Sequence, residues 1–132
     1  MLKGSCCCGA IQFQLTHLPS MMGSCHCSRC RKLGASTILF VKKSEFTLLQ
    51  GHEFIEKYQP EAPFHYTRSF CKNCGTALGE IGSDHESFPI PANCLDDDLP
   101  LQNQFHVYVA SKPNWYNICD TAPQFQENPP NH

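Results

Sequence analysis

The stretch GSCCCGA, residues 4–10, places three consecutive cysteines near the beginning of the sequence. Adjacent thiols are poorly placed to bridge one another, whereas side chains at positions i and i+2 of an extended segment lie on the same side of it. Cys6 and Cys8 can therefore bind the same metal ion. The side chain of Cys7 points the other way, and we expect it to be packed in the interior like many free cysteines.

Two further clusters complete the pattern, so that seven of the ten cysteines are grouped. The clusters are Cys25-x-Cys27-x-x-Cys30 and Cys71-x-x-Cys74. Zinc–sulfur bonds of about 2.3 Å place the sulfurs of a tetrahedral site roughly 3.8 Å apart, and C-x-C and C-x-x-C spacings both reach that separation. The glycine after the last cluster supplies the backbone freedom that such a turn often needs.

Seven thiolates divide into a closed structural site with four ligands and an open site with three. The preferred division joins the N-terminal pair to the pair at 71–74, which ties together segments about 65 residues apart, and leaves the cluster at 25–30 as the open site. In the other division, the cluster at 25–30 borrows a fourth sulfur and three cysteines remain elsewhere. We prefer the first division on the rule that structural zinc takes four protein ligands and catalytic zinc three, and the second division stays open.

The cluster at 25–30 is a second closed site if another side chain supplies a fourth ligand. The candidates are His26, Cys94 and Cys119. The ring of His26 is expected to face away from the metal, because both of its neighbours in the chain are proposed ligands. Cys94 and Cys119 are isolated in the sequence, and we expect them to be small buried hydrophobic residues.

Short β-rich runs between turn signals predict an all-β chain with irregular loops. The run IQFQL at 11–15 alternates apolar and polar residues in the manner of a half-buried strand. Further strands are predicted at 37–41, 46–49, 54–58, 64–70, 77–81, 88–91 and 105–110. Residues 28–33 are the one stretch expected to form a helical turn. A length of 132 residues without a linker or repeat predicts a single domain, 1–132, with a frayed tail at 126–132.

Composition and charge disfavour several classes of function. The formal net charge of −2 gives no general attraction to nucleic acid or to anionic membranes, so a nucleic-acid partner is not expected. No apolar run approaches the length needed to span a bilayer, and no secretory signal precedes the first cluster, so a cytoplasmic location is expected. In that reducing compartment, clustered cysteines usually bind metal.

These motifs resemble the glutathione-dependent formaldehyde-activating family, which also includes centromere protein V. The resemblance covers about residues 3–125. It rests on GSCCCGAIQFQL, CHCSRCRKLGA, SFCKNCGTAL, PANCLDDD and FHVYVASKPNWYNICDTAPQF. It implies a β-tent-like fold of several short antiparallel sheets that is stapled by zinc. Many relatives have Cys-His-Cys where this chain has Cys-Cys-Cys, a departure that leaves both outer ligands in place.

The resemblance also implies two zinc ions per chain, one structural and one catalytic. Their implied ligands are Cys6, Cys8, Cys71 and Cys74 for the structural ion, and Cys25, Cys27 and Cys30 for the catalytic ion. The activity it implies is that of a carbon–sulfur lyase of the S-(hydroxymethyl)glutathione synthase type, which acts on glutathione and formaldehyde. The alternative is a binding or interaction module in which both zinc ions are structural.

For several other polar and aromatic residues, the sequence allows more than one role. The cations near the clusters can offset thiolate charge, bind a substrate carboxylate or simply be solvated; they are Arg29, Arg31, Lys32 and Arg68. Trp115 and Tyr116 are expected in the core rather than at the wall of a site. One histidine can serve as a proton shuttle; the candidates are His52, His65, His85 and His106. The acidic run at 96–98 is expected to be a solvated turn.

Overall fold

A computed structural model describes residues 1–128, in which ten short strands, one short α-helix and four 3₁₀ turns alternate with loops. The strands are β1 (Leu2–Ser5), β2 (Gln12–Leu15), β3 (Met21–Cys25), β4 (Thr37–Lys42), β5 (Phe46–Gln50), β6 (Ile55–Tyr58), β7 (Arg68–Cys71), β8 (Ala77–Gly79), β9 (Ser87–Pro91) and β10 (His106–Val107). The helix, α1, comprises Ser28–Lys32, where the helical turn was predicted. The 3₁₀ turns are Lys43–Glu45, His52–Phe54, Ala92–Cys94 and Val109–Ser111. The predicted all-β class is confirmed.

The strands form three small sheets. Their orders are β1–β2–β5, β10–β3–β4–β9 and β6–β7–β8. Neighbouring strands are antiparallel in every pair of these sheets except β3 and β10, which run parallel. The prediction of several short antiparallel sheets is therefore confirmed, with one short parallel pair as the exception.

The alternation predicted for 11–15 is present in the core. Ile11, Phe13 and Leu15 are each at most 1% exposed, and the glutamines between them lie towards solvent. The ring of Phe13 stacks on Phe46 with centroids 5.4 Å apart, and Phe46 meets Phe88 of β9 edge to face at 5.3 Å. Each large apolar side chain buried in this way stabilises the fold by roughly 1.5–3 kcal/mol.

Two strands, β1 and β3, were not predicted, because glycines interrupt their apolar pattern. A Cβ atom added at Gly4 would lie 2.1 Å from the ring of Phe13, and one at Gly23 would lie 2.2 Å from the ring of Phe105. Each glycine thus makes room for an aromatic ring that packs directly on the backbone of the strand. This packing depends on a ring of another strand or loop, Phe13 of β2 for Gly4 and the distant Phe105 for Gly23, so the pattern within each strand does not reveal it.

Three predicted strands are clearly shorter than expected, and of these the one predicted at 77–81 ends at Gly79 as β8. The run 64–70 is a loop until β7 begins, and the run 105–110 contains only the two residues of β10. The second run ends because Tyr108 adopts a left-handed conformation with φ 56°, which turns the chain into a 3₁₀ turn.

Both the acidic run and the start of the predicted tail make specific contacts. Residues 96–98 are exposed as expected, yet Asp96 accepts a hydrogen bond from Ser5 Oγ at 2.7 Å. Gln126 and Glu127 accept backbone hydrogen bonds from Ala110 and Tyr108, so the ordered chain extends past 125. The rest of the predicted tail, 129–132, lies outside the described residues. Within 1–128, no helix is long and apolar enough to cross a membrane.

Candidate metal centres

Four cysteines from two distant segments converge to form what we call the four-cysteine centre. It comprises Cys6, Cys8, Cys71 and Cys74, whose sulfurs all lie within 4.8 Å of one another. The sulfurs of Cys6 and Cys8 are 3.6 Å apart, and those of Cys8 and Cys71 are 3.9 Å apart. These separations match the roughly 3.8 Å between the sulfurs of a tetrahedral zinc site, so the donor set fits zinc.

Two tight turns bring these sulfurs together. In the first, Gly9 has φ 78° and its N–H donates to the carbonyl of Cys6 at 3.0 Å. In the second, Gly75 has φ 81° and its N–H donates to the carbonyl of Cys71 at 2.7 Å. Glycine is favoured at both positions because a Cβ atom is disfavoured in this left-handed region. The glycines in GSCCCGA and CKNCG therefore have a structural role in the centre.

Polar groups around the four-cysteine centre favour the thiolate form of Cys8 and Cys74, whereas burial raises the pKa of Cys71 to about 11. The Thr76 hydroxyl, 3.1 Å from Cys74 Sγ, and the Thr76 backbone amide lower the pKa of Cys74 to about 5. The side-chain amide of Asn73 donates to Cys8 Sγ at 3.2 Å and lowers the pKa of Cys8. Because the thiolate is the metal-binding form, these contacts prepare the centre for a cation.

The ungrouped cysteines differ from expectation in two of three cases. Cys7 is exposed rather than packed, because the turn that holds its neighbours lies at the surface, where its backbone N–H donates to Thr76 Oγ1 at 2.9 Å. Cys119 is also exposed rather than buried. Cys94 is buried as predicted; its thiol donates to the carbonyl of Ala77, and burial raises its pKa to about 12.

The remaining cluster forms what we call the three-cysteine centre. Cys25 ends β3, Cys27 is the N-cap of α1, and Cys30 is buried within the helix. Their sulfurs lie within 4.8 Å of one another, and the backbone N–H of Cys30 donates to Cys27 Sγ at 3.4 Å. The structure thus brings the seven cysteines together in the two groups that the spacing predicted.

The three thiols of this centre interact strongly. Hydrogen bonds from Cys25 and Cys30 hold the pKa of Cys27 far below its usual value, and the same shared contacts raise the pKa of Cys25. The protonation of each of these sulfurs therefore depends on that of its neighbours. A divalent cation that binds three thiolates releases such protons, so this donor set also fits a thiolate-bound metal.

His26 faces away from the sulfurs, as expected from its position between two of them. Its Nε2 lies 2.8 Å from Nδ1 of His106, and both rings are buried and stacked. His106 Nε2 lies 3.0 Å from both carboxylate oxygens of Asp120. The histidine tautomers that satisfy both hydrogen bonds have His26 donating to His106 and His106 donating to Asp120. His106 and Asp120 carry no spacing signal, so the sequence did not identify this network.

The cations and aromatic residues near the three-cysteine centre differ in what they contact and in how exposed they are. The guanidinium of Arg68 lies 3.8 and 3.9 Å from Cys30 Sγ, while that of Arg29 lies over the ring of Phe64 at 3.9 Å. Trp115 is 79% exposed and Tyr116 is 43% exposed, so the expectation that both are core residues is wrong. The loop that carries them stays at the surface, and the ring of Tyr116 lies 5.6 Å from that of His26.

A small cavity lies beside Arg68. Its volume is about 140 Å³, and its lining is mainly apolar: Leu33, Ala35, Tyr58, Arg68, Ser69, Phe70, Gly75, Ala77 and Gly79. A larger polar cavity of about 230 Å³ is lined by residues of β6, β7 and the loop that follows β8, and it shares Ser69 with the smaller cavity. None of the seven clustered cysteines lines either cavity, and the smaller one is connected to the three-cysteine centre through Arg68, which contacts Cys30.

Comparison with known proteins identifies one family and several relatives. Residues 1–111 match the profile of a family described as glutathione-dependent formaldehyde-activating enzyme. A Halomonas elongata protein, whose name assigns it to that activity, is 31% identical over 127 residues, covering 89% of this chain and 81% of its own. An uncharacterized lyase of Schizosaccharomyces pombe is 30% identical, covering 58% of this chain and 54% of its own. A crystal structure of a Rhodobacter sphaeroides protein is 27% identical with a TM-score of 0.60, covering 74% of this chain and 91% of its own.

Proposed function

We propose that this chain, which belongs to the glutathione-dependent formaldehyde-activating enzyme family, is a carbon–sulfur lyase that joins a thiol such as glutathione to a small aldehyde such as formaldehyde, or cleaves their adduct. One observation carries the proposal. Among the described residues, the three-cysteine centre offers three sulfurs and no fourth protein ligand, whereas the other centre offers four. Three protein ligands with an open position are typical of catalytic zinc, and four are typical of structural zinc.

The residues of both centres suit zinc ions. Cys6, Cys8, Cys71 and Cys74 would hold the structural ion, and Cys25, Cys27 and Cys30 would hold the catalytic ion. A bound zinc ion would lower the pKa of a coordinated substrate thiol and polarise an aldehyde carbonyl. The chain's own contribution is to hold the thiolates together, to balance their charge and to position the substrates.

Addition of a thiol to an aldehyde sets the requirements for the surrounding residues. The sulfur forms a bond to the carbonyl carbon, the π bond of the carbonyl breaks, and the proton of the thiol ends on the oxygen. No oxidant or reductant is needed. Because the two reactants must be held in contact, the principal demand on the protein is orientation.

Arg29 is suited to orient a thiol that carries carboxylates, as glutathione does. Its guanidinium packs over Phe64 and donates to Tyr58 Oη at 3.5 Å, which fixes its plane without using all of its donors. It extends from the same helix that carries Cys30. An anionic group bound there would bring the substrate to the edge of the three-cysteine centre.

The hydrogen-bond network of His26, His106 and Asp120 holds in place the segment that carries Cys25 and Cys27, the first two cysteines of the three-cysteine centre. The backbone N–H of His26 donates to the carbonyl of Val107 at 2.9 Å, and its ring bonds to His106. The segment is therefore anchored through both backbone and side chain. In this proposal the network acts as a support that limits movement of Cys25 and Cys27.

Metal removal tests the proposal. Purified without chelator, the protein is expected to contain two zinc ions per chain, one of which is lost readily to a chelator because its site is open. Turnover of a thiol–aldehyde adduct should disappear with the labile ion and return when zinc is restored. Metal content and turnover are measured on the same preparation, with untreated protein as the control. Full turnover after loss of that ion would contradict the proposal, and two equally resistant ions without turnover would favour a binding module.

A further inference from the structure

Strand β7 contacts both cysteine centres, one from each end. Its last residue, Cys71, belongs to the four-cysteine centre. The guanidinium of its first residue, Arg68, reaches Cys30 of the three-cysteine centre, with Nη1 and Nη2 at 3.8 and 3.9 Å from the sulfur. Side chains alternate along a strand, so Arg68 and Cys71 project to opposite faces. Because both residues belong to the same short strand, anchoring Cys71 in the four-cysteine centre also fixes the position of the Arg68 backbone.

Arg68 has no carboxylate partner among the described residues. The ion pairs within 1–128 join His17 to Glu45, Lys43 to Asp84 and His106 to Asp120. Arg68 is half-buried; its guanidinium lies 5.9 Å from the centre of the Tyr66 ring and within 3.9 Å of the sulfur of Cys30. A buried or half-buried guanidinium is normally paired with an anion. Of these contacts, the sulfur of Cys30 is the group that becomes anionic when it binds a metal ion, and it is therefore the partner of the guanidinium.

The charge of the centre explains why a cation is needed. Three thiolates more than neutralise a divalent ion and leave a formal charge of about −1 in the assembly. A single guanidinium balances that charge. By donating hydrogen bonds to a thiolate, it also withdraws electron density from the sulfur, which makes the sulfur a weaker donor and the metal a better electrophile.

We propose that Arg68 is the positioning residue that balances the charge of the three-cysteine centre and tunes the donor strength of Cys30. The inference rests on the zinc ion of the proposed function. It distinguishes Arg68 from Arg29, a cation on the helix of Cys30, which contacts the rings of Tyr58 and Phe64 and no sulfur. Arg29→Met therefore removes the same charge from the same neighbourhood without removing a sulfur contact, and it serves as the matched control.

The test compares Arg68→Met and Arg68→Lys with Arg29→Met and the unmodified chain. In cobalt-substituted protein, the sulfur-to-cobalt charge-transfer band should move to lower energy in Arg68→Met, because the sulfur lone pairs lose a stabilising donor. Arg68→Lys should recover part of the shift, and Arg29→Met should show none. In zinc-loaded protein, iodoacetamide should alkylate Cys25, Cys27 and Cys30 about tenfold faster in Arg68→Met, the effect of losing a charge-assisted hydrogen bond.

A kinetic measurement separates charge balance from substrate binding. Turnover number is expected to fall about tenfold in Arg68→Met with little change in KM, as for other groups that act through a metal ligand. If Arg68→Met does not fold, Arg68→Gln supplies a shorter, neutral and polar side chain, and shifts in the same direction are expected.

Two outcomes would overturn the inference. An unchanged band and alkylation rate in the Arg68 variants, with a normal cobalt–thiolate band in the unmodified chain, would reject the role of Arg68 and leave the metal assignment intact. A chain whose three-cysteine centre gives no cobalt–thiolate band at all would reject the proposed function together with the inference.

Discussion

Replacing Cys71 with alanine is expected to lower the free energy of unfolding by more than about 4 kcal/mol, or to prevent folding altogether. Cys71 is fully buried at the end of β7, and its sulfur lies 3.9 Å from that of Cys8. The four-cysteine centre thus joins the sheet of β1 to the sheet of β7. A structural metal is lost when one of four ligands is removed, and its binding free energy is part of the folding free energy.

Cys7→Ala is the matched control for this substitution. It removes one thiol from the same cluster, but Cys7 is exposed and its sulfur lies outside the centre. Its effect should stay within about 0.5 kcal/mol, as for ordinary surface substitutions. Chemical denaturation of both variants, with metal content measured beforehand, makes the comparison. Equal stability of the two variants would show that the four-cysteine centre does not hold the fold together.

Replacing Cys27 with serine is expected to reduce turnover of a thiol–aldehyde adduct at least about a hundredfold while the protein stays folded. The three-cysteine centre spans six residues, so it closes little chain and contributes little to linking the sheets. Cys27 has a second role as the N-cap of α1, where its sulfur accepts from the N–H of Cys30. Serine keeps a capping acceptor but is a poor replacement for a thiolate ligand.

Cys27→Ala separates capping from metal binding. It loses both roles, so it should be as inactive as Cys27→Ser and less stable by about 1 kcal/mol, the usual cost of a lost cap. Thermal unfolding and turnover are measured on both variants. A Cys27→Ser protein that unfolds as badly as Cys71→Ala would make this centre structural. Unchanged turnover in a folded Cys27→Ser protein would exclude a catalytic role for this thiolate.

The grouping of the cysteines could be predicted because it depends on local geometry and on ligand number. The spacing within each cluster decides which sulfurs can meet, and the contrast between four and three ligands decides which clusters combine. The alternation of 11–15 likewise identified a strand whose buried face lies in the core. The spacing within each cluster and the alternation involve residues close together in the sequence, whereas the pairing of two distant clusters was preferred on ligand number alone.

The contacts that were not predicted join residues far apart in the chain. Gly23 is a strand residue because a distant ring, that of Phe105, occupies the space above it. The bond between His26 and His106 spans 80 residues, and the contact of Arg68 with Cys30 spans 38. Such contacts follow from how the sheets pack and leave no periodic pattern in the sequence.

The clearest test of an open catalytic centre beside a closed structural one is cadmium NMR of the cadmium-substituted protein, recorded with and without added glutathione. Two resonances are expected. The resonance of the four-cysteine centre should not move, and that of the three-cysteine centre should shift towards the position of a four-sulfur site as the thiol of glutathione takes the open position. Two resonances that both stay fixed at four-sulfur positions, whatever thiol is added, would show that both centres are closed and would contradict a catalytic metal in this chain.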